Sequence, residues 1–461
     1  MPLNARRHLA FALAGVLAAL APEMPQVAVA NHADVQPNVL VIVTDDQRWD
    51  MMTVLKKTRR WFGAEGTTYP YAFATTPLCC PSRASIMTGQ YAHNTNVETN
   101  IDAERLDQRD TMQRYLQDAG YRTAIVGKYL NAWTSNPPYF DDWAIFSSSE
   151  AGYLGAAFNI NGQRVVIPRY STDYVTARSI QVLRSFEADD DQPWLLYVTP
   201  FAPHAPYEPS RKFRKTEVPR LTRTPAMQEE DRTDKPMWVQ LKQPKRVKAH
   251  RIWTLQERML LSVDSLVDRI LSTLDELEER GPTMVFFLSD NGFLMGEHGL
   301  QQKHSPYTTS VKIPLYARWP GHFQARDVDE RLVANIDIAP TVYDAAGIRP
   351  DSPVDGRSLL DRSWTRDRML LEYIHREDRA VPTWASLRTA EYQYVEYYDE
   401  SLEEVTFREY YDLIADPFQL TNLLGDPDTA NDPDPGRLTT LQLQLQHDRR
   451  CEGSSGPSAC P

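Results

Sequence analysis

The residues best suited to chemistry in this sequence fall into a few tight groups. Cys79 and Cys80 are adjacent and run into Pro81, Ser82 and Arg83, in a chain whose only other cysteines are Cys451 and Cys460. Adjacent cysteines make a poor structural disulfide, because the bridge needs converging Cβ vectors. A cysteine ahead of Pro-Ser-Arg instead predicts a reactive group at a helix N-terminus beside a fixed positive charge. Asp45-Asp46 and Asp290-Asn291 supply three carboxylates and an amide, the all-oxygen set that a hard divalent cation takes. With no His/Cys set at zinc spacing, calcium is the expected ion and magnesium the lesser alternative. Either pair alone reads as a cap or turn; recurrence in the same relative position after two strands points to a metal. Arg83, Lys128, His204 and Lys303 each lie near one of these polar clusters. Together with a cation they would surround a tetrahedral oxyanion, as transfer of a sulfuryl or phosphoryl group requires. Prolines flank His204 in Ala202-Pro203-His204-Ala205-Pro206, and a stiffly held imidazole suits general-acid work at a leaving oxygen.

The elements that must position these groups share one texture. Residues 38–43, 121–126, 194–198 and 284–288 are continuous apolar runs that each end in a polar cluster. Such runs predict strands buried on both faces of a parallel sheet. Ligand sites in open α/β sheets lie outside the carboxyl ends of the strands, so the clusters are expected to converge. Helices are predicted at 111–119, 173–186 and 257–280, the last carrying an apolar stripe from Met259 to Leu277 and stopped by Gly281-Pro282. The alternation gives an α/β fold, a mixed, mostly parallel sheet with helices on both faces. Beyond residue 360, aromatic-rich segments at 384–398 and 409–413 predict a small antiparallel sheet. Residues 426–436 read as an Asp/Pro-rich linker to a loosely ordered tail. The expected division is 1–30, 38–360, 361–425 and 426–461.

At 461 residues the chain is long enough for one large domain and a smaller one. A net charge of −12 argues against a nucleic-acid partner. Arg6, Arg7 and His8, an apolar run at 9–21 and Ala28-Val29-Ala30 predict a cleaved signal peptide over residues 1–30 rather than a buried helix. No second apolar run reaches membrane length, so a secreted or periplasmic protein without a membrane span is expected. In an oxidising compartment Cys451 and Cys460, closing a short Gly/Ser/Pro-rich loop, are the natural pair. That leaves Cys79 and Cys80 unpaired, which is odd for a secreted chain. Residues 211–251 form a locally basic, Pro-rich insertion, either a solvated loop or a rim that attracts a polyanionic substrate.

Cys79-x-Pro81-Ser82-Arg83, followed by Ala84-Ser85 and Thr88-Gly89, resembles the signature of the type I, formylglycine-dependent sulfatases. Thr44-Asp45-Asp46-Gln47, Gly127-Lys128-Tyr129-Leu130-Asn131, Ala202-Pro203-His204, Ser289-Asp290-Asn291-Gly292 and 335–341 fall in that family's order. Tyr411-Asp412-Leu413, with Asp416-Pro417 and Asn422-Leu423, is similar to its closing motif. The Cys-Cys doublet, Gly-Lys-Tyr-Leu-Asn and Leu260-Leu261-Ser262-Val263-Asp264 resemble the N-acetylglucosamine-6-sulfatases and the extracellular heparan sulfate 6-O-endosulfatases.

The resemblance implies an alkaline-phosphatase-like fold and hydrolysis of sulfate esters, with 6-O-sulfated glucosamine or a related sulfated sugar as substrate. It implies conversion of Cys79 to formylglycine by a separate formylglycine-generating enzyme, and a calcium ion held by Asp45, Asp46, Asp290, Asn291 and the modified residue 79. Arg83 would hold the formylglycine hydroxyl, and Lys128, His204 and Lys303 would contact sulfate or the leaving oxygen. Lys303 is matched by its spacing to Val311 and Pro314. Many members carry a histidine two residues after the lysine at position 128, as the base that ejects sulfate. Here that position is Leu130, and His93, His298 and His304 are the candidates left. Two other readings compete: a phosphodiesterase or phosphonate hydrolase on the same scaffold, and a non-catalytic secreted glycan-binding protein.

Overall fold

The computed structural model describes residues 36–461 except 148–150, 189–190, 243–245 and 376–379. The expected signal peptide therefore lies outside the described residues.

The four apolar runs form strands Asn38–Thr44, Arg122–Gly127, Trp194–Thr199 and Thr283–Ser289, at the centre of a ten-stranded sheet. In space they run Thr283, Asn38, Trp194, Arg122, all mutually parallel, and Asp142–Phe146 continues the parallel set. Antiparallel strands close both sides: Leu315–Arg318 beside the Thr283 strand, and the hairpin Ala156–Ile160 and Gln163–Ile167 beyond Asp142–Phe146.

Side chains alternate across a strand, and the Asn38 strand divides its residues accordingly. Leu40 and Ile42 join one core with Phe62 of helix Lys56–Glu65, Val182 of helix Ser171–Glu187, and Leu260, Val263 and Val267 of helix Arg246–Glu276. Val39, Val41 and Val43 join the other, with Ile86 of helix Cys79–Thr88, Leu116 of helix Met112–Asp118 and Val342 of helix Ile338–Ala346. Both faces are thus covered, and the carboxyl edge of the parallel strands is left for polar groups. Among the described residues, no helix is long and apolar enough to cross a membrane.

The C-terminal part holds a four-stranded antiparallel sheet, Met369–Tyr373, Trp384–Arg388, Tyr392–Tyr398 and Val405–Asp412. The tail departs from the expected loose order. Pro435–Asp448 is a helix, started by Asp434, whose carboxylate accepts from the N–H groups of Gly436 (2.8 Å) and Arg437 (3.3 Å). Leu441 and Leu445 of that helix are buried in the core of the small sheet, and Cys451 is bonded to Cys460. An N-cap aspartate, a proline in the first turn and a buried apolar stripe outweigh the disorder-like composition around them.

The insertion at 211–251 is of two kinds. Arg211, Lys212, Arg214, Lys215, Arg220 and Arg223 are exposed. Lys235 is fully buried, donating to Asp234 Oδ2 at 2.9 Å and to the Leu420 carbonyl at 2.8 Å.

Candidate active site

The ends of two neighbouring parallel strands bring the acidic groups together. Asp45 and Asp46 follow the Asn38 strand, and Asp290 and Asn291 follow the Thr283 strand, paired with it in parallel. The Asp290 N–H donates to the Thr44 carbonyl at 3.1 Å, and the Asp46 N–H donates to Asp290 Oδ1 at 3.1 Å. Asp46 adopts a left-handed backbone (φ 65°), which aspartate tolerates better than most residues. Asp45, Asp290 and Asn291 have 0% exposure and Asp46 4%.

Helix Cys79–Thr88 is buried along its whole length. Its first turn contains Pro81, which fits there because first-turn N–H groups have no intrahelical acceptor. The Cys80 N–H donates instead to Asn100 Oδ1 at 3.0 Å. Residues four apart share a helix face, which sets Arg83 beneath Cys79. Arg83 Nε donates to Asp290 Oδ2 (3.0 Å) and Nη1 to the Lys128 carbonyl (3.1 Å). Nη2 makes no hydrogen bond, standing 3.7 Å from Asp45 Oδ2. The Ser82 hydroxyl donates to the Asp290 carbonyl, and Asn335 Nδ2 donates to Ser82 Oγ at 3.0 Å.

Two lysines close the cluster. Lys128 follows Gly127, where a Cβ would come within 2.0 Å of the Thr199 carbonyl oxygen and φ is 125°, so only glycine fits. That approach lets the Lys128 N–H donate to Thr199 O (2.8 Å), with Nζ donating to Asp45 Oδ2 at 2.5 Å. Lys303 leaves the short hairpin Leu294–Met295 and Gln301–Gln302. Its Nζ donates to Asp46 Oδ1 and lies 2.8 Å from Cys79 Sγ and 3.3 Å from Asn291 Oδ1. His204 Nδ1 lies 2.5 Å from the Ala205 carbonyl and Nε2 lies 3.7 Å from Asp46 Oδ2. An Nδ1 proton given to that carbonyl leaves Nε2 directed at the cluster.

Burial works to raise the Asp45 carboxyl, but the charges of Lys128, His204, Arg83 and Lys303 outweigh it and hold the group well below the usual carboxylate range. Asp290 moves the other way, raised by burial and by the charge of Asp45. One oxygen from each of Asp45, Asp46 and Asp290 falls within 4.8 Å of the others. Three buried carboxylates this close, one of them pushed up by its neighbour, fit a cation with a preference for oxygen donors. Cys79 Sγ is 3.5 Å from Asp45 Oδ1. Burial pushes the Cys79 thiol up to about 12 despite the two lysines, so the free cysteine is a neutral thiol and a poor nucleophile. Cys80 is buried in the core beside the sheet.

All the residues expected at the centre from sequence meet there. The three candidate histidines differ. His93 Nδ1 contacts both Glu372 oxygens at 3.0 Å and its Nε2 contacts the Cys451 carbonyl at 3.0 Å. His298 Nδ1 contacts Glu229 Oε2 at 2.8 Å, with its ring 4.1 Å from Tyr307. Both are engaged by carboxylates outside the cluster. The His304 ring lies 5.6 Å from Tyr373. Leu130 is core. Asn100, and Asn335 as the partner of Ser82, were not foreseen as supports. An isolated Asn carries no sequence signal for pairing with a first-turn N–H twenty residues earlier.

A sulfatase family model matches residues 37–348, and the model for the C-terminal part of N-sulphoglucosamine sulphohydrolase matches 296–440. An extracellular sulfatase SULF-1 homolog of Drosophila melanogaster is 32% identical over 356 residues, covering 72% of this chain and 32% of the relative. The N-acetylglucosamine-6-sulfatase of Homo sapiens is 29% identical, covering 91% of this chain and 85% of the relative. The chain spans 50% of the length of a putative extracellular sulfatase Sulf-1 homolog of Caenorhabditis elegans, to which it is 34% identical, and 32% of the Drosophila relative. Among solved structures, one in complex with its substrate D-glucosamine-2-N,6-O-disulfate superposes with a TM-score of 0.73 at 24% identity, covering 89% of this chain and 97% of that one. A phosphonate monoester hydrolase of Agrobacterium radiobacter gives 0.68 at 21%, covering 90% and 96%. These superpositions show the alkaline-phosphatase-like α/β fold expected from sequence. With the family model matched from the first sheet strand to the end of helix Ile338–Ala346 and beyond, the chain belongs to the sulfatase family.

Proposed function

We propose that this chain hydrolyses sulfate esters of sulfated sugars, the 6-O-sulfate of glucosamine or a close relative being the substrate class. The observation that carries the reading is the juxtaposition at the first turn of helix Cys79–Thr88: Cys79 Sγ stands against Lys303 Nζ and Asp45, above an Arg83 whose Nη2 has no hydrogen-bond partner. The glucosamine-6-sulfatase relative and the neighbour bound to a disulfated glucosamine support the sugar.

A calcium ion held by Asp45, Asp46, Asp290 and Asn291 would supply positive charge to the reacting oxygens, and a formylglycine made from Cys79 would supply the nucleophilic hydroxyl. The chain's own groups do the rest. Arg83 orients residue 79 from beneath. Lys128 and Lys303 neutralise charge that develops on the sulfate oxygens, where one lost donor costs on the order of a hundredfold or more in rate. His204, with Nδ1 tied to the Ala205 carbonyl, carries a proton on Nε2 to the departing sugar oxygen. We assign residues 38–360 to the catalytic portion and 361–425 to a supporting one, and read the chain as exported after loss of residues 1–30.

The test is sulfate release from a panel of sulfated monosaccharides and heparan fragments, using protein made together with a formylglycine-generating enzyme. Release from 6-O-sulfated glucosamine, with a peptide mass showing the aldehyde at position 79, is the expected result. No release from any member of the panel would sink the reading. The phosphonate hydrolase neighbour keeps a second reading in play, so aryl sulfate and aryl phosphonate esters are compared in the same assay. An unmodified thiol with glycan binding and no turnover would favour the non-catalytic alternative.

A further inference from the structure

Lys312 is an unusual cation. It follows the short helix Thr308–Val311, and its Nζ lies 4.3 Å from the Trp49 ring centre and 5.5 Å from that of Tyr71. It makes no ion pair with any carboxylate among the described residues. Asp50, which lines the same cavity and whose charge reaches Lys312, is engaged by Arg48, whose Nε and Nη2 donate to its two oxygens at 2.9 and 2.8 Å. Burial, with the charge of Arg388 added, pushes the Lys312 ammonium down to about 8. A half-desolvated cation with no carboxylate in contact is costly, and Lys312 lines a cavity. Trp49, Tyr69, Tyr316, Arg59 and Lys312 line a cavity of about 380 Å³, within the range of small-ligand sites. Arg59 is exposed there and pairs with no carboxylate among the described residues, and Trp49 is 41% exposed.

Two chain segments lead from the cavity to the centre. Trp49 is three residues beyond Asp46, so their Cα atoms are at most about 11 Å apart. On the other side, the Ile313 N–H donates to Ala72 O (3.0 Å) and the Ala74 N–H to Val311 O (2.8 Å), which ties Lys312 to the segment running into Cys79.

Aromatic faces beside unpaired cations fit a ring that is apolar on its face and anionic at its edge. We propose that the Trp49–Lys312 cavity is a second sugar subsite, taking a neighbouring sulfated or carboxylated ring of an oligosaccharide whose scissile sulfate lies at the Cys79 centre. The aromatic walls pack against the sugar's C–H face, and Lys312 and Arg59 pair with its anionic group. The proposal rests on the sulfated-glycan reading above.

The experiment compares a 6-O-sulfated monosaccharide with a size-defined sulfated heparan tetrasaccharide, on enzyme matured as above. Trp49→Ala and Lys312→Gln should each raise KM for the tetrasaccharide about tenfold, a hot-spot-sized loss. Each should leave kcat/KM for the monosaccharide within about twofold, and Lys312→Arg should retain most of the tetrasaccharide affinity. Equal KM for wild type and both variants on the tetrasaccharide, or equal losses on both substrates, would overturn the subsite. If wild type releases no sulfate at all, the functional reading fails first, and the subsite is judged by calorimetry with Cys79→Ala protein and the same tetrasaccharide. Binding weakened about tenfold by adding Trp49→Ala upholds it; unchanged binding, or none, rejects it.

Discussion

Glu409 and Asp45 are both carboxylates at 0% exposure, yet their surroundings differ in kind. Glu409, in the small antiparallel sheet, accepts from three neutral hydroxyls: Tyr307 (2.9 Å) and Tyr411 (2.8 Å) on one oxygen and Tyr397 (2.8 Å) on the other. Burial pushes its pKa up against the charge of Lys235, and its hydrogen bonds come from the three tyrosines, which bring no charge. Asp45 is ringed by Lys128, His204, Arg83 and Lys303, which together hold it ionised against burial. In the first region every hydroxyl already has its acceptor and an arriving ligand has nothing to bind. In the second, cationic donors are shared among few acceptors: Lys303 serves Asp46, Asn291 and Cys79, and Arg83 Nη2 serves none by hydrogen bond. Buried charge alone does not mark a site; opposite charges gathered beside a helix N-terminus, with a cationic donor left unbonded among them, do.

Substitutions separate the two regions. Cys79→Ala should bring sulfate release to background while the melting transition stays within a few degrees of wild type. A variant that still turns over would place the chemistry elsewhere. Lys303→Ala should lower kcat on the order of a hundredfold or more, measured under saturating substrate. Glu409→Leu should do the reverse, leaving kcat per folded molecule intact while unfolding free energy drops by roughly 3 kcal/mol, since three buried hydroxyls lose their acceptor. Denaturant titration with parallel activity measurement checks both halves, and a large kcat loss there would erase the contrast.

The smallest expected effect is a pH dependence at the join. Burial lowers the His93 imidazole, but the facing Glu372 carboxylate and the Cys451 carbonyl outweigh it and raise the pKa to about 9. A raised folded-state pKa stabilises fully below the unfolded value near 6.5, and the contribution fades as pH climbs through 9. Stability should therefore fall by on the order of 1–3 kcal/mol between about pH 6.5 and 9.5. His93→Gln should flatten that slope in thermal unfolding across the same range, and an unchanged slope would remove His93 from the account.

The parallel centre of the sheet was readable because strands covered on both faces must be apolar throughout, and the runs at 38–43 and 284–288 show it. The outer hairpin escaped because Gln163–Ile167 is mostly exposed and carries no such run. Strand Met369–Tyr373 gives no sequence signal, because five residues between polar turns leave too short a pattern. The tail helix is masked by the aspartates and prolines from 426 to 436, whose composition is that of a linker although Asp434-Pro435 marks a helix start. At the centre, motif residues were visible because their chemistry demands specific side chains. The parts played by Asn100 and Asn335 depend on contacts across the fold, which no local pattern encodes. The fates of His93 and His298 were hidden for the same reason: a histidine in sequence does not say whether its partner is a substrate or a glutamate.

Cys79 is 1% exposed, under Lys303 and the ends of two strands. On the proposed reading this turns activation into a matter of timing. A second protein can reach this side chain only while the chain is still open, so modification and folding run as competitors. A molecule that folds first keeps its thiol for life, and the active fraction of any preparation is decided before the native state exists.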